Sequence, residues 1–280
     1  MPLKDGPPLN LRTSNRVFLA FVFLTSFALA THSQTIPTGI PVLAYHRFDP
    51  TTPAATTVTT ATFESQLAFL AEHHYTIVPL ERVVEAVLRK TPPPRTLTLA
   101  ITVDDGHRSV YTVLFPLIKQ HHIPVTLFIY PSAISHAPYA LTWDQLKEMH
   151  ASGLVDIQSH TYWHPDFRHD KAHRTPSDYT AFVHSQLTKS RLKLDAELGT
   201  HITLLAWPYG ILDADLEAAS AQDGYVAAFG YSGGVARAGD DPYSIHRIPV
   251  PNFAHGFAFE ALLRDAQARP EGNSSHAGHE

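Results

Sequence analysis

There is no cysteine among the 280 residues. That excludes disulfides, a lipid anchor on an N-terminal cysteine and any thiolate metal site, so a metal held by this chain would take only nitrogen and oxygen ligands. An excess of basic charge is also missing. Twenty-one Lys and Arg face 26 Asp and Glu, a formal net charge of -5, whereas proteins that bind nucleic acid are basic. Neither nucleic acid nor anionic lipid is expected as a partner. No internal repeat is visible, and only one apolar run is long. It extends from Val17 to Leu29, is interrupted by Thr25 and Ser26, follows Lys4, Arg12 and Arg16, and ends in the small residues Ala28-Leu29-Ala30. This pattern reads as a secretory signal peptide over residues 1–30, and the run is shorter than the about 20 residues that span a bilayer. The expectation is export, to a periplasm or beyond, with no membrane span once the leader is cleaved. The leader carries those three basic residues and Asp5, so its loss moves the formal charge from -5 to -7.

What remains is ordinary in composition, with 44% hydrophobic and 17% charged residues, and suits a globular protein with a substantial core. Its length accommodates one α/β barrel, which commonly needs about 250 residues. Strand-like runs at Ile40 to His46, Tyr75 to Val78, Leu97 to Val103, Pro124 to Tyr130, Leu154 to Gln158, Leu204 to Trp207, Tyr225 to Phe229 and Ile245 to Val250 alternate with helical patterns. The helical patterns include Leu80 to Lys90, Trp143 to Ala151 and a long one within Pro176 to Gly199. Such alternation implies a parallel sheet with helices outside. The expected fold is therefore α/β, a distorted (β/α) barrel of seven or eight strands forming a single domain over residues 31–268. Asp49 to Thr60 reads as an exposed loop near the mouth, and residues 269–280, rich in Gly, Ser and His, as a disordered tail.

The informative stretch is Ile101-Thr102-Val103-Asp104-Asp105-Gly106, joined later by Ser159-His160-Thr161-Tyr162-Trp163-His164. Adjacent strand residues point to opposite faces, so two consecutive carboxylates share a site only where the strand ends, and Gly106 marks that end. His160 and His164 meet on one face of a helical turn or in a tight loop, and Pro165 favours the loop. A catalytic divalent metal such as zinc uses three protein ligands and an open position for water. Asp105, His160 and His164 fill those three places. A carboxylate beside the metal but not on it takes the proton from water, and Asp104 is the candidate for that general base.

Thr102-Val103-Asp104-Asp105-Gly106 resembles the first motif of the polysaccharide deacetylases of carbohydrate esterase family 4, Ser159-His160-Thr161-x-x-His164 the second, and Trp207-Pro208-Tyr209-Gly210 the third. The resemblance extends from about Gly39 to about Pro251. It implies a metal ligand set of Asp105, His160 and His164, zinc first with cobalt or nickel as alternatives, and Asp104 as base. It also implies that the backbone amide of Tyr209 holds the oxyanion while its ring lines the groove. Two departures matter. Many members carry an arginine two residues before the third motif's proline, where it orients the base, but Ala206 stands there; Arg247, in His246-Arg247-Ile248-Pro249-Val250, is the replacement considered. The general acid is the other departure. Most members place this histidine late in the chain, where His246 is the candidate, but Ile40-Pro41-Val42-Leu43-Ala44-Tyr45-His46 resembles the opening strand of the permuted poly-β-1,6-N-acetylglucosamine deacetylase branch, so His46 is preferred.

The expected activity is metal-dependent removal of N-acetyl groups from a polysaccharide containing N-acetylglucosamine, with the β-1,6-linked polymer first. Peptidoglycan, chitin and acetylated xylan are alternative substrates, and a catalytically silent glycan-binding module is the rival of another class. Trp163 reads equally as a sugar platform or as packing. His73, His74, His121 and His122 lie at helix ends and are assigned no function, and His276 and His279 belong to the tail.

Overall fold

The computed structural model describes residues 38–94 and 96–269. The proposed leader and the tail beyond Arg269, with His276 and His279, lie outside the described residues. Arg269 itself is anchored: its guanidinium donates to the carbonyl of Ser232, and its own carbonyl accepts from Arg237 at 2.7 Å. No helix among the described residues is long and apolar enough to cross a membrane.

The chain opens with β1 (Val42–Tyr45), β2 (Arg47–Asp49) and β3 (Thr57–Thr59), then α1 (Thr60–Glu72), β4 (Thr76–Ile77), α2 (Leu80–Leu88) and β5 (Thr98–Asp104). A π-helical turn, Val110–Leu114, runs into α3 (Phe115–His121), and β6 (Val125–Ile129), α4 (Trp143–Ala151) and β7 (Val155–Ser159) follow. The second half holds α5 (Phe167–His173), α6 (Pro176–Leu198), β8 (Leu204–Ala206), α7 (Ala214–Gln222), β9 (Ala227–Phe229), β10 (Ile248–Pro249) and α8 (Phe257–Ala268). Local sequence accounts for several of these boundaries. Thr142 and Gln145 form a reciprocal capping box that starts α4. Thr175 caps α6, Pro176 occupies its first turn, and Gly199 ends it with φ 65°.

Seven strands pair in the order β10-β1-β5-β6-β7-β8-β9, every pairing parallel, and β4 adds to β5 beside them. The sheet is curled into a half-barrel. Ile245 bridges Phe229 at the end of β9, and three residues later Ile248 pairs with Leu43 of β1, so one short segment touches both margins of the sheet.

Alternation along the strands sorts the side chains into two apolar clusters. Leu43, Ile101, Leu127, Leu205 and Ala228 belong to the larger, shared with residues of α1, α3, α4, α6 and α8. Their chain neighbours Val42, Ala100, Phe128, Ala206 and Phe229 belong to the smaller, which fills the concave side together with Leu80, Val83, Val84 and Val87 of α2. Both faces are thus buried. That is why the strands read as continuous apolar runs rather than alternating ones.

Three features differ from expectation. Asp49 to Thr60, read as a loop, ends in β3, which pairs with β2 in a separate two-stranded parallel sheet. Helices α5 and α7 were not anticipated. Three-residue strands carry too little periodicity to detect, and α7 buries only Leu216, Ala219 and Ser220, a stripe with little apolar contrast.

Gly106 follows the end of β5 with φ 73°, and a Cβ there would lie 2.9 Å from Ile129 Cδ1 and 3.2 Å from Ile134 Cδ1. Gly106→Ala meets both a left-handed backbone and a filled space. The expected loss is about 1–3 kcal/mol of stability, measured by urea unfolding.

Candidate active site

Strand β5 is the foundation of the site. Thr102 and Asp104 share the concave face by their spacing of two, and Asp104 is 2% exposed. Asp105 breaks the alternation. Its φ of 73° places it in the left-handed region, which aspartate tolerates better than most residues. Gly106 repeats that conformation, and its amide returns to the carbonyl of Asp104 at 3.0 Å. Two consecutive carboxylates therefore reach the same mouth.

The histidines arrive from β7. His160 follows Ser159, the last residue of that strand, and its amide donates to Ile129 of β6 at 2.8 Å. Beyond it the chain forms a loop, not a helical turn. Thr161 and His164 both have φ 64°, and the amide of His164 donates to Thr161 Oγ1 at 3.2 Å. Asp105 Oδ1 lies 3.7 Å from His160 Nε2 and 3.6 Å from His164 Nε2.

These three residues fit a divalent ion. Bonds of about 2.0–2.1 Å in a tetrahedral shell separate ligand atoms by about 3.3–3.4 Å, close to the spacings observed. The tautomer fits as well. His160 Nδ1 donates to the carbonyl of Ala206 at 2.7 Å, which leaves the lone pair of Nε2 facing the carboxylates. Burial lowers the His160 pKa to about 4, against the opposing pull of Asp104, so the imidazole is neutral at ordinary pH and can ligate. Burial also lowers His164, with Asp105 opposing.

Asp104 stands apart from this trio, 4.0 Å from His160 Nε2, because a different group holds it. Arg247 Nη1 donates to Asp104 Oδ1 at 2.7 Å and Nη2 to Oδ2 at 2.8 Å, a fully buried two-pronged contact. The same guanidinium reaches Thr102 Oγ1 at 3.2 Å and donates its Nε to Gly230 O at 3.0 Å. Burial alone would raise the pKa of Asp104; the Arg247 charge overrides it and holds the carboxyl well below the usual range. The arginine missing at Ala206 thus has a counterpart that enters from just before β10. Ala206 keeps a different duty, its carbonyl orienting His160.

Tyr209 adopts φ 56° inside the short turn Pro208–Gly210, is 66% exposed, and sets its ring 4.6 Å from that of His164. The hydrogen bonds of this turn run from Gly210 to Trp207 and from Ile211 to Pro208, so neither uses the Tyr209 amide. His46 leaves the end of β1 at the same mouth, since Tyr45 pairs with Val103, the residue before Asp104. His246 does not join them. Its Nδ1 contacts Ser232 Oγ at 2.5 Å, and the charged groups acting on it are Asp240, Arg237 and Arg269. Trp163 is 52% exposed and leans on Phe182 with centroids 5.8 Å apart, so it is not core packing.

The sequence reading missed Tyr231, two residues beyond β9, which approaches His46, Arg247 and the Tyr209 turn. The available signal was its position, an aromatic residue directly after an apolar strand.

A curled parallel sheet whose strand ends gather carboxylates and imidazoles in one mouth is the architecture of an enzyme active site. Residues 91–228 match the polysaccharide deacetylase family model, and the chain carries a domain of that family. It is 27% identical over 212 residues to the poly-beta-1,6-N-acetyl-D-glucosamine N-deacetylase of Staphylococcus epidermidis, covering 74% of this chain and 71% of the relative. Among solved structures it resembles IcaB from Ammonifex degensii, with 25% identity, a TM-score of 0.71, and coverage of 82% of this chain and 97% of the other. The Streptococcus pyogenes deacetylase PplD in complex with acetate shares the fold, with 22% identity, a TM-score of 0.71, and coverage of 81% and 99%.

Removal of the Arg247 guanidinium leaves a buried carboxylate uncompensated. Arg247→Met is expected to cost about 3–5 kcal/mol, and the double variant Asp104→Asn/Arg247→Met to recover a large part of it. Urea unfolding of the four proteins in this cycle checks both.

Proposed function

We propose that this deacetylase removes N-acetyl groups from a polymer of N-acetylglucosamine, with the β-1,6-linked polymer as the preferred substrate, and that it requires a divalent metal. The observation that carries the proposal is the separation of two kinds of carboxylate in one mouth. Asp105 joins two neutral imidazoles, while Asp104 is held aside by Arg247. Asp105, His160 and His164 would hold the ion, zinc first, with cobalt or nickel also suited to such donors. When bound, such an ion polarises a carbonyl and acidifies water, a contribution of several kcal/mol to transition-state stabilisation.

The protein's own groups divide the remaining work. Asp104, ionised, accepts a proton from the attacking water, and Arg247 keeps both of its oxygens aimed. As the water oxygen adds to the acyl carbon, negative charge grows on the carbonyl oxygen, where the Tyr209 amide donates to it. The carbon–nitrogen bond then breaks. Its electron pair stays on nitrogen, which takes a proton from His46, so acetate and a free amine result. His46 is favoured over His246 because the pairing of Tyr45 with Val103 delivers it beside Asp104, while His246 lies against Ser232.

The substrate assignment rests on the similarity to the staphylococcal enzyme and on the Tyr45-His46 pair at the end of β1. The basic lead and apolar run within residues 1–30 support export, to a periplasm or outside the cell. With that leader removed, the deacetylase domain would span residues 31–268.

Acetate release from β-1,6-linked N-acetylglucosamine oligomers tests this reading. Chelator-treated protein should be inactive and zinc- or cobalt-loaded protein active. Asp104→Asn and His46→Ala should each lose about 10²–10⁴-fold in kcat. Full activity in His46→Ala would return the acid to His246. Activity on chitin or peptidoglycan oligomers but not on the β-1,6 polymer would overturn the linkage.

A further inference from the structure

Tyr231 lies where three functional elements meet. Its ring meets that of His46 edge-on, with centroids 5.8 Å apart and planes at 85°. The Arg247 guanidinium carbon lies 6.0 Å from its ring centroid, and the same guanidinium holds the carbonyl of Gly230, the residue just before it. On a third side Tyr231 abuts the turn that carries Tyr209. A Cβ added to Gly210 would lie 2.6 Å from Tyr231 Cβ and 3.0 Å from its backbone nitrogen, and Gly210 has φ 67°. Only a glycine there lets the two segments approach so closely.

We infer that Tyr231 is a positioning residue whose ring fixes the His46 imidazole, while its backbone and Cβ pack against the Tyr209 turn. This deepens the proposed reaction and rests on the roles given there to His46 and Tyr209. Edge-to-face packing is a directional contact for a ring, and His46 lies beyond the end of β1, without strand pairing of its own. The anchor for Tyr231 comes from β9 and from Arg247, so the acid candidate is referenced to the same guanidinium that aims the base. The phenol oxygen makes none of the hydrogen bonds that fasten these elements. The inference therefore assigns the work to the ring.

The test compares Tyr231→Phe, Tyr231→Leu and Tyr231→Ala in metal-loaded protein, with the thermal midpoint and metal stoichiometry measured alongside. Tyr231→Phe should keep wild-type kcat within about twofold. Tyr231→Ala should lose about 10²-fold in kcat, the scale of an ångström-sized misplacement, with KM nearly unchanged and one metal still bound. Tyr231→Leu, which keeps bulk without a ring, replaces the alanine variant if the latter fails to fold. NMR relaxation of the His46 imidazole gives a second reading that needs no substrate. Its order parameter should be high in wild type and Tyr231→Phe and fall below about 0.6 without the ring. An unchanged order parameter and kcat in Tyr231→Ala or Tyr231→Leu would overturn the inference. So would a Tyr231→Phe as damaged as Tyr231→Ala, since the hydroxyl would then be the acting group. A wild type inert on every polymer would defeat the proposed reaction, whereas the relaxation result would still decide whether Tyr231 holds His46.

Discussion

The two-pronged contact between Arg247 and Asp104 fastens the site to the sheet. Its reach exceeds one pair. Through Thr102 Oγ1, which itself donates to Leu43 O at 2.9 Å, the guanidinium is linked to β5 and β1, and through Gly230 O to the end of β9. The segment that supplies it touches both margins of the sheet, so one cation sits where the curled sheet comes together. Buried ion pairs add little net stability, because desolvation consumes most of the attraction. This one is better understood as fixing position. It keeps Asp104 ionised and immobile in a setting where burial alone would favour the neutral acid.

Backbone strain is concentrated in the same place. Eight non-glycine residues among those described have positive φ, and four of them, Asp105, Thr161, His164 and Tyr209, form the mouth. Such conformations cost of order 1–3 kcal/mol each and persist where the surroundings over-determine them. Each has a geometric consequence here. Asp105 turns a second carboxylate into a mouth that strand alternation would deny it. Thr161 and His164 shape a loop that faces both imidazoles toward Asp105, and Tyr209 turns a ring against His164.

The neighbouring charge states fit together for the same reason. His160 and Asp104 approach within 4.0 Å, an arrangement that would favour an imidazolium in water. Burial lowers the histidine, and Arg247 already supplies the positive charge that Asp104 requires. A neutral imidazole and an ionised carboxylate therefore stand side by side, as the proposed ligand and acceptor roles demand.

Much of this was legible in the sequence, because it depended on local patterns. The apolar runs reveal strands buried on both faces, the Asp-Asp-Gly at a strand end and the His-x-x-x-His before Pro165 identify the mouth, and the motif order identifies the family. Arg247 was a candidate by its place after a strand, and His46 by its place after β1, but sequence could not decide either one. Their partners lie 143 residues away for Arg247 and Asp104, and across the mouth for His46. Tyr231 went unread because its neighbours come from three separate segments. The sequence by itself determined which residue types could do the chemistry and the strands that deliver them. Only the tertiary structure decided which arginine holds Asp104, which histidine faces the site and which carbonyl orients His160, since those choices depend on how the sheet curls and where its margins meet.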